Sequence, residues 1–83
     1  MRNRQGFEFT EHARDMLKER DIQEELVWRT IDNPDKTEIG KDENTHYYKA
    51  IEEMKNRILH IVVNNNVSPK KLITVFFDRR ARR

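Results

Sequence analysis

His12 is the side chain of this sequence best placed to act as a neutral base near neutral pH, and His46 and His60 are the other histidines. Around them stand basic residues that can hold a phosphate, among them Arg20, Lys49, Arg57, Arg79 and Arg80. Other chemistries are poorly provided for. There is no cysteine, so disulfides, thiolate metal sites and thiol nucleophiles are excluded. Ser68 is the sole serine and precedes a proline in a turn, a poor place for a nucleophile. Gly6 and Gly40 are the only glycines, too few for a glycine-rich phosphate loop. The histidines are widely spaced, with no helical pair four apart, so no metal motif and no cofactor is expected. If the later strands form a hairpin, His46 and His60 face each other across it. What remains is phosphate chemistry without a metal, which needs a base, a cation for the transition-state charge and an acid.

Each candidate has a plainer alternative. His12 falls at the second position of a helix, where free amides and the dipole attract anions and disfavour imidazolium. It suits a neutral base there, or it simply orients the helix start. Arg20 lies at the edge of a helical apolar stripe and reads either as a phosphate contact or as a stem covering the core with a capping head group. Lys49 and Arg57 lie on adjacent predicted strands beside Tyr47, Tyr48 and Ile58, a platform for single-stranded RNA. The alternative is a solvated strand face interleaved with Glu52 and Glu53. Trp28 sits off the main stripe of its helix and reads as core edge or dimer contact in preference to a base-stacking group.

The elements that must position these residues follow from the pattern. Phe7-Glu8-Phe9 alternates as a short strand. Thr10 is a helix N-cap, and Ala13, Met16 and Leu17 give a helix over 11–19 one apolar stripe. Asp21 with Glu24 resembles a capping box for a second helix, whose face is Ile22, Leu26, Val27, Thr30 and Ile31 and which Pro34 ends. Lys36–Ile39 is an optional edge strand. His46–Ile51, Arg57–Val63 and Leu72–Phe77 are the main strands, with Glu53–Asn56 as the hairpin connection between the first two. The order β-α-α-β-β-β predicts an α+β fold: an antiparallel meander sheet with two short helices on one face.

Length and charge bound the rest. Eighty-three residues make a single domain, 1–83, with a folded core over about 7–78 and a basic tail over 79–83. No apolar run approaches a membrane span and no signal-peptide pattern opens the chain, so a cytoplasmic location is expected. The formal charge of +2 hides a separation. The arginines at 2, 4, 79, 80, 82 and 83 supply +6, whereas residues 5–78 carry −4. Any polyanion is therefore expected at local basic spots and the ends, not over the whole surface.

Phe9-Thr10-Glu11-His12-Ala13-Arg14, Glu19-Arg20-Asp21-Ile22 and Asn33-Pro34-Asp35 together resemble the opening of the domain-of-unknown-function family 4258. Tyr48-Lys49-Ala50-Ile51, Arg57–Val63 and Ile73-Thr74-Val75-Phe76 resemble its later strands, so the likeness covers about residues 7–78. Asp21 stands where the family usually has glycine, which implies a left-handed residue that Asp tolerates. The family is similar to the RelE/ParE-like toxins. That likeness implies a RelE-like fold, metal-independent RNA cleavage and a partner antitoxin. By the same likeness His12 is the base or acid, Lys49 and Arg57 stabilise phosphate charge, and Thr74 with Arg79 and Arg80 positions the RNA backbone. The competing expectations are a non-catalytic module that binds nucleic acid or protein, which the acidic body favours, and a small homodimer without a catalytic site.

Overall fold

The computed structural model describes residues 6–80. Strand β1 (Phe7–Phe9) leads into helix α1 (Glu11–Glu19) and helix α2 (Glu24–Asp32). Four strands follow: β2 (Lys36–Ile39), β3 (Thr45–Ile51), β4 (Arg57–Asn64) and β5 (Lys70–Phe77). Among the described residues, no helix is long and apolar enough to cross a membrane.

The helices start and stop for local reasons. The Thr10 hydroxyl accepts from the Ala13 amide and caps α1 as its sequence predicts. The capping box expected at Asp21 does not form. Asp21 instead adopts φ 51°, the left-handed residue beyond the end of α1. The Ile22 amide reaches back to the Leu17 carbonyl at 2.9 Å and the Asp21 amide to Lys18 at 3.3 Å. This is the double closure of a helix C-terminus, with buried Leu17 and Ile22 as its apolar contact. Helix α2 therefore begins later, with Gln23 as its N-cap.

The sheet corrects the expected pure meander. Strands β2 to β5 do form an antiparallel meander, but β1 joins β5 in parallel, giving the order β1-β5-β4-β3-β2. The sheet is thus mixed, with five strands. The cause is the helical pair, which carries the chain from one edge of the sheet to the other. One parallel and three antiparallel pairings across the sheet leave β2 antiparallel to β1 at the opposite edge. The optional strand at 36–39 is that edge. The β3–β4 connection is a 3-10 turn, Glu52–Met54, closed by Lys55 and Asn56 in consecutive left-handed conformations.

Period-two alternation separates two faces. Leu59, Ile61, Val63, Leu72 and Val75 lie against Ala13, Leu17, Ile22 and Val27 of the helical layer, and all are buried. Trp28 seals this core at the β1 edge, edge-on to Phe7 and Phe9 at 5.8 and 5.4 Å, with its indole N–H given to Glu24. A bulge at Val62/Val63 skips Ile73, so both Val63 and Leu72 reach the core while Val62 and Thr74 face away. The opposite face carries His46, Tyr48, His60, Thr74 and Phe76 and, among the described residues, has no helix upon it.

Candidate functional site

The register decides which candidates can meet. Lys49 pairs with Leu59 and Ile51 with Arg57, so Lys49 and Arg57 share the helix-covered face. Their head groups are used separately. The Lys49 ammonium donates to the Asn33 carbonyl at 2.9 Å and stands 3.8 Å from Asp35, tying β3 to the turn after α2. The Arg57 guanidinium lies over the Phe77 ring at 4.3 Å. His12 is exposed in the first turn of α1, two residues beyond Thr10, whose amide and hydroxyl bond Leu72 and Ile73. Arg57 sits at the Phe77 end of the same strand, five residues on, or roughly 17 Å of strand rise. His12 and Arg57 therefore mark opposite ends of the sheet, and His12, Lys49 and Arg57 do not converge. Arg20 is exposed at the C-cap of α1. Thr74 is half-buried on the open face, and Arg79 and Arg80 are exposed just beyond β5.

The open face assembles a different constellation. Tyr48 pairs with His60 and His46 with Val62, which brings the two histidines diagonally together across β3 and β4. His46 Nδ1 and His60 Nε2 are 2.8 Å apart. His60 Nδ1 meets Asp78 Oδ2 at 2.9 Å, and His46 Nε2 meets Asp42 Oδ1 at 3.3 Å. The result is a continuous chain, Asp42···His46···His60···Asp78. The His60 ring is clamped between Tyr48 and Phe76, with centroids at 4.2 and 4.8 Å. Tyr48 gives its hydroxyl proton to Glu38 at 2.9 Å, and Lys36 lies 5.2 Å from the Tyr48 ring.

Gly40 makes room for this chain. A Cβ there would fall 2.6 Å from His46 Nε2 and 2.8 Å from Asp42 Oδ1. Gly40 also closes the β2–β3 loop: its amide donates to the Asn44 carbonyl and its carbonyl accepts the Glu43 amide. The Asp42 carboxylate accepts the Asn44 amide in the same loop, which is the main reason its pKa lies below the ordinary aspartate value. The loop thus delivers Asp42 ionised, beside His46.

Proton counting fixes the roles. A carboxylate only accepts, so Asp78 requires a proton on His60 Nδ1. Neutral His60 then offers Nε2 as an acceptor, and His46 Nδ1–H donates to it. Neutral His46 is left with a bare Nε2 at the outer end of the chain. A further proton at that atom completes the bond to Asp42. Exposure runs the same way: the His46 side chain is 18% exposed and that of His60 is 10%. Burial pushes the His60 pKa below the ordinary histidine value, only partly offset by the Asp78 hydrogen bond, and the charge of a protonated His46 pushes it down further. Positive charge is therefore disfavoured on the inner ring, His60. Tyr48 is pushed up to about 12 by burial first and by Glu38 second, so it remains a hydroxyl donor at neutral pH.

Among the described residues, no group of three or more His, Cys, Asp or Glu could hold a metal ion. Of the chain's four members, the sequence pointed to the two histidines as cross-strand neighbours. It passed over Asp42 and Asp78, although Asp78 directly follows the last strand and Asp42 sits in the loop leading to His46.

No curated protein and no solved structure matches the chain. The family model described as Domain of unknown function (DUF4258) matches residues 9–77. With that much of its 83 residues matched, the chain belongs to the DUF4258 family.

Proposed function

We propose that this protein is a toxin-like, metal-independent ribonuclease of the RelE/ParE type, with His46 as its proton-transfer residue. The observation that carries the reading is the Asp42···His46···His60···Asp78 chain, which leaves one basic nitrogen at its outer end. In this mechanism His46 Nε2 removes the proton of an RNA 2′-hydroxyl as that oxygen attacks the neighbouring phosphorus. His60 and Asp78 hold the ring and its tautomer, the logic of a base steadied by a second and third group. Asp42 receives the new N–H. The same imidazolium then returns its proton to the departing 5′-oxygen, so the protons balance over the reaction. Lys36, 3.6 Å from Glu38, lies on the same face beside Tyr48. Lys49 has a structural employment and His12 lies at the far side of the helical layer, so the proposal moves proton transfer away from both.

The test is incubation with RNA in EDTA. Wild type should yield cyclic phosphate ends, and His46→Ala should reduce the rate by about 10²-fold or more. His12→Ala and Lys49→Ala should retain the activity. Intact RNA with wild-type protein, together with harmless expression in cells, would end the enzymatic reading.

The second reading is a non-catalytic binding module on the same fold. The −4 charge of residues 5–78 favours it, since a polyanion is repelled by most of this surface. Under this reading the histidine chain is a structural strut. Binding by basic ends would weaken with salt, with a log–log slope of about −0.7 per single-strand phosphate contact. A salt-insensitive interaction would identify a protein partner, an antitoxin or a second copy.

A further inference from the structure

Where β4 starts and β5 ends, the surface opens into a cleft of about 280 Å³ lined by Lys55, Asn56, Arg57, Ile58, Phe77, Asp78 and Arg79. Three of these are cations and one is an anion. Among the described residues, Lys55, Arg57 and Arg79 form no ion pair. The single carboxylate, Asp78, is already bonded to His60 and to the Arg80 amide. Three cationic side chains thus line a concave site beside one carboxylate, which bonds His60 and the Arg80 amide.

The cleft is also held in shape. Lys55 and Asn56 are both left-handed, at φ 58° and 61°. Their amides are fixed on the Glu52 and Ile51 carbonyls at 3.1 and 2.9 Å, so the turn presents its side chains from a rigid backbone. The Asp78 amide is held by the Ile58 carbonyl at 2.8 Å, which pins the opposite wall. Arg57 stacks on Phe77 at 4.3 Å, and stacking uses the guanidinium face while leaving its N–H edge for a ligand. A planar fork of donors with its face already seated suits two oxygens of one phosphate.

We infer that this cleft is a phosphate subsite, which takes a backbone phosphate of single-stranded RNA. The inference rests on the proposed function for the nature of the molecule bearing the phosphate. It goes beyond that reading by placing Arg57 and Arg79 in one cleft with Lys55 and Asn56, away from Lys49 and Thr74. Asp78 belongs to both places: it lines the cleft and ends the histidine chain.

The experiment is an amide NMR titration with inorganic phosphate, and separately with a short single-stranded RNA. Phosphate should shift Asn56, Arg57, Asp78 and Arg79 saturably, and the RNA should shift these and the residues around His46. Arg57→Gln and Arg79→Gln should each weaken phosphate binding about tenfold, the scale of one lost charge-assisted hydrogen bond. Arg57→Lys should fall between, keeping the charge and losing the fork. Lys18→Gln on α1 should change nothing. Arg79 is exposed, so its replacement should leave the fold intact and loss of binding in that variant reports on the cleft. Non-saturating shifts spread over Lys18 and Lys70 as well, or full binding by Arg57→Gln and Arg79→Gln, would overturn the inference. The two proposals fail separately. Phosphate binding without RNA cleavage removes the ribonuclease and keeps the subsite, and His46-dependent cleavage without cleft shifts does the reverse.

Discussion

Replacing Gly40 by alanine puts a methyl group into the tightest part of the open face. Its Cβ would stand 2.6 Å from His46 Nε2 and 3.1 Å from Cδ2. An ordinary van der Waals approach begins near about 3.5 Å, so the ring must retreat by roughly 1 Å. It cannot do so freely, because Nδ1 of the same ring is bonded to His60 at 2.8 Å. A retreat of that size lengthens the bond beyond about 3.5 Å, where a hydrogen bond is lost. Asp42, with Oδ1 only 2.8 Å from the new atom, must swing away as well. The cost is one part-buried hydrogen bond plus an acceptor on buried His60 left without its donor, together about 1–2 kcal/mol. For a domain of this size that lowers Tm by about 5–15 °C. Thermal unfolding by circular dichroism measures the loss. Long-range nitrogen NMR of the imidazoles reports the uncoupling directly, as a changed tautomer balance at His60. A Gly40→Ala protein with wild-type Tm and unchanged His46 and His60 signals would refute the hydrogen-bonded chain itself.

Other expectations concern neighbouring groups. Asp21 holds φ 51°, a conformation glycine adopts without strain, so Asp21→Gly should stabilise the fold by about 0.5–1 kcal/mol in urea unfolding. The His60 pKa lies below its unfolded value, so the unfolded chain binds the proton more readily. Its contribution is complete above the ordinary histidine pKa near 6.5 and is lost as pH falls through the lower, folded value. Midpoints of chemical unfolding should drop over that range, and less so in His60→Gln. Asp78→Asn should lower the His60 midpoint further in an NMR titration, because the carboxylate that raises it is gone. A tyrosinate absorbance step at about pH 12 should vanish in Tyr48→Phe. Leu59→Ala, at a fully buried position, should cost about 2–5 kcal/mol.

The parts of the fold legible in the sequence are those governed by local rules. Thr10 caps α1 because its hydroxyl and the Ala13 amide are three residues apart, a distance that pattern reading covers. The paired edges of β3 and β4 follow from alternation, which is why the meeting of His46 and His60 was foreseeable. Asp21 shows how two local rules compete. Three residues before Glu24 it reads as a cap, whereas the closure of α1 by Ile22 makes it a terminator. Burial of Ile22 against Leu17 decides in favour of the second, and that term is tertiary. The parallel seat of β1 was illegible for the same reason. Nothing within Phe7-Glu8-Phe9 specifies a neighbour 63 residues away; the Thr10 bonds to Leu72 and Ile73 do.

The candidate site shows the same division and explains why it lies on the open face. His12, Lys49 and Arg57 drew notice because each is basic and sits beside an apolar pattern. That pattern belongs to the helix-covered face, where a long basic side chain is drawn into packing work. Lys49 lends its ammonium to a helix–strand turn, and Arg57 covers Phe77. On the other face, where among the described residues no helix lies, polar side chains can bond to one another. There His46 and His60, fixed by strand register, gain carboxylates at both ends from segments just outside the strands: Asp42 from the β2–β3 loop and Asp78 from the exit of β5. A loop glycine without a Cβ and a carboxylate one residue past a strand leave no periodic trace. Such residues come together only when the four strands β2 to β5 are aligned, and the proton chain they complete is therefore a property of the sheet and not of any single motif.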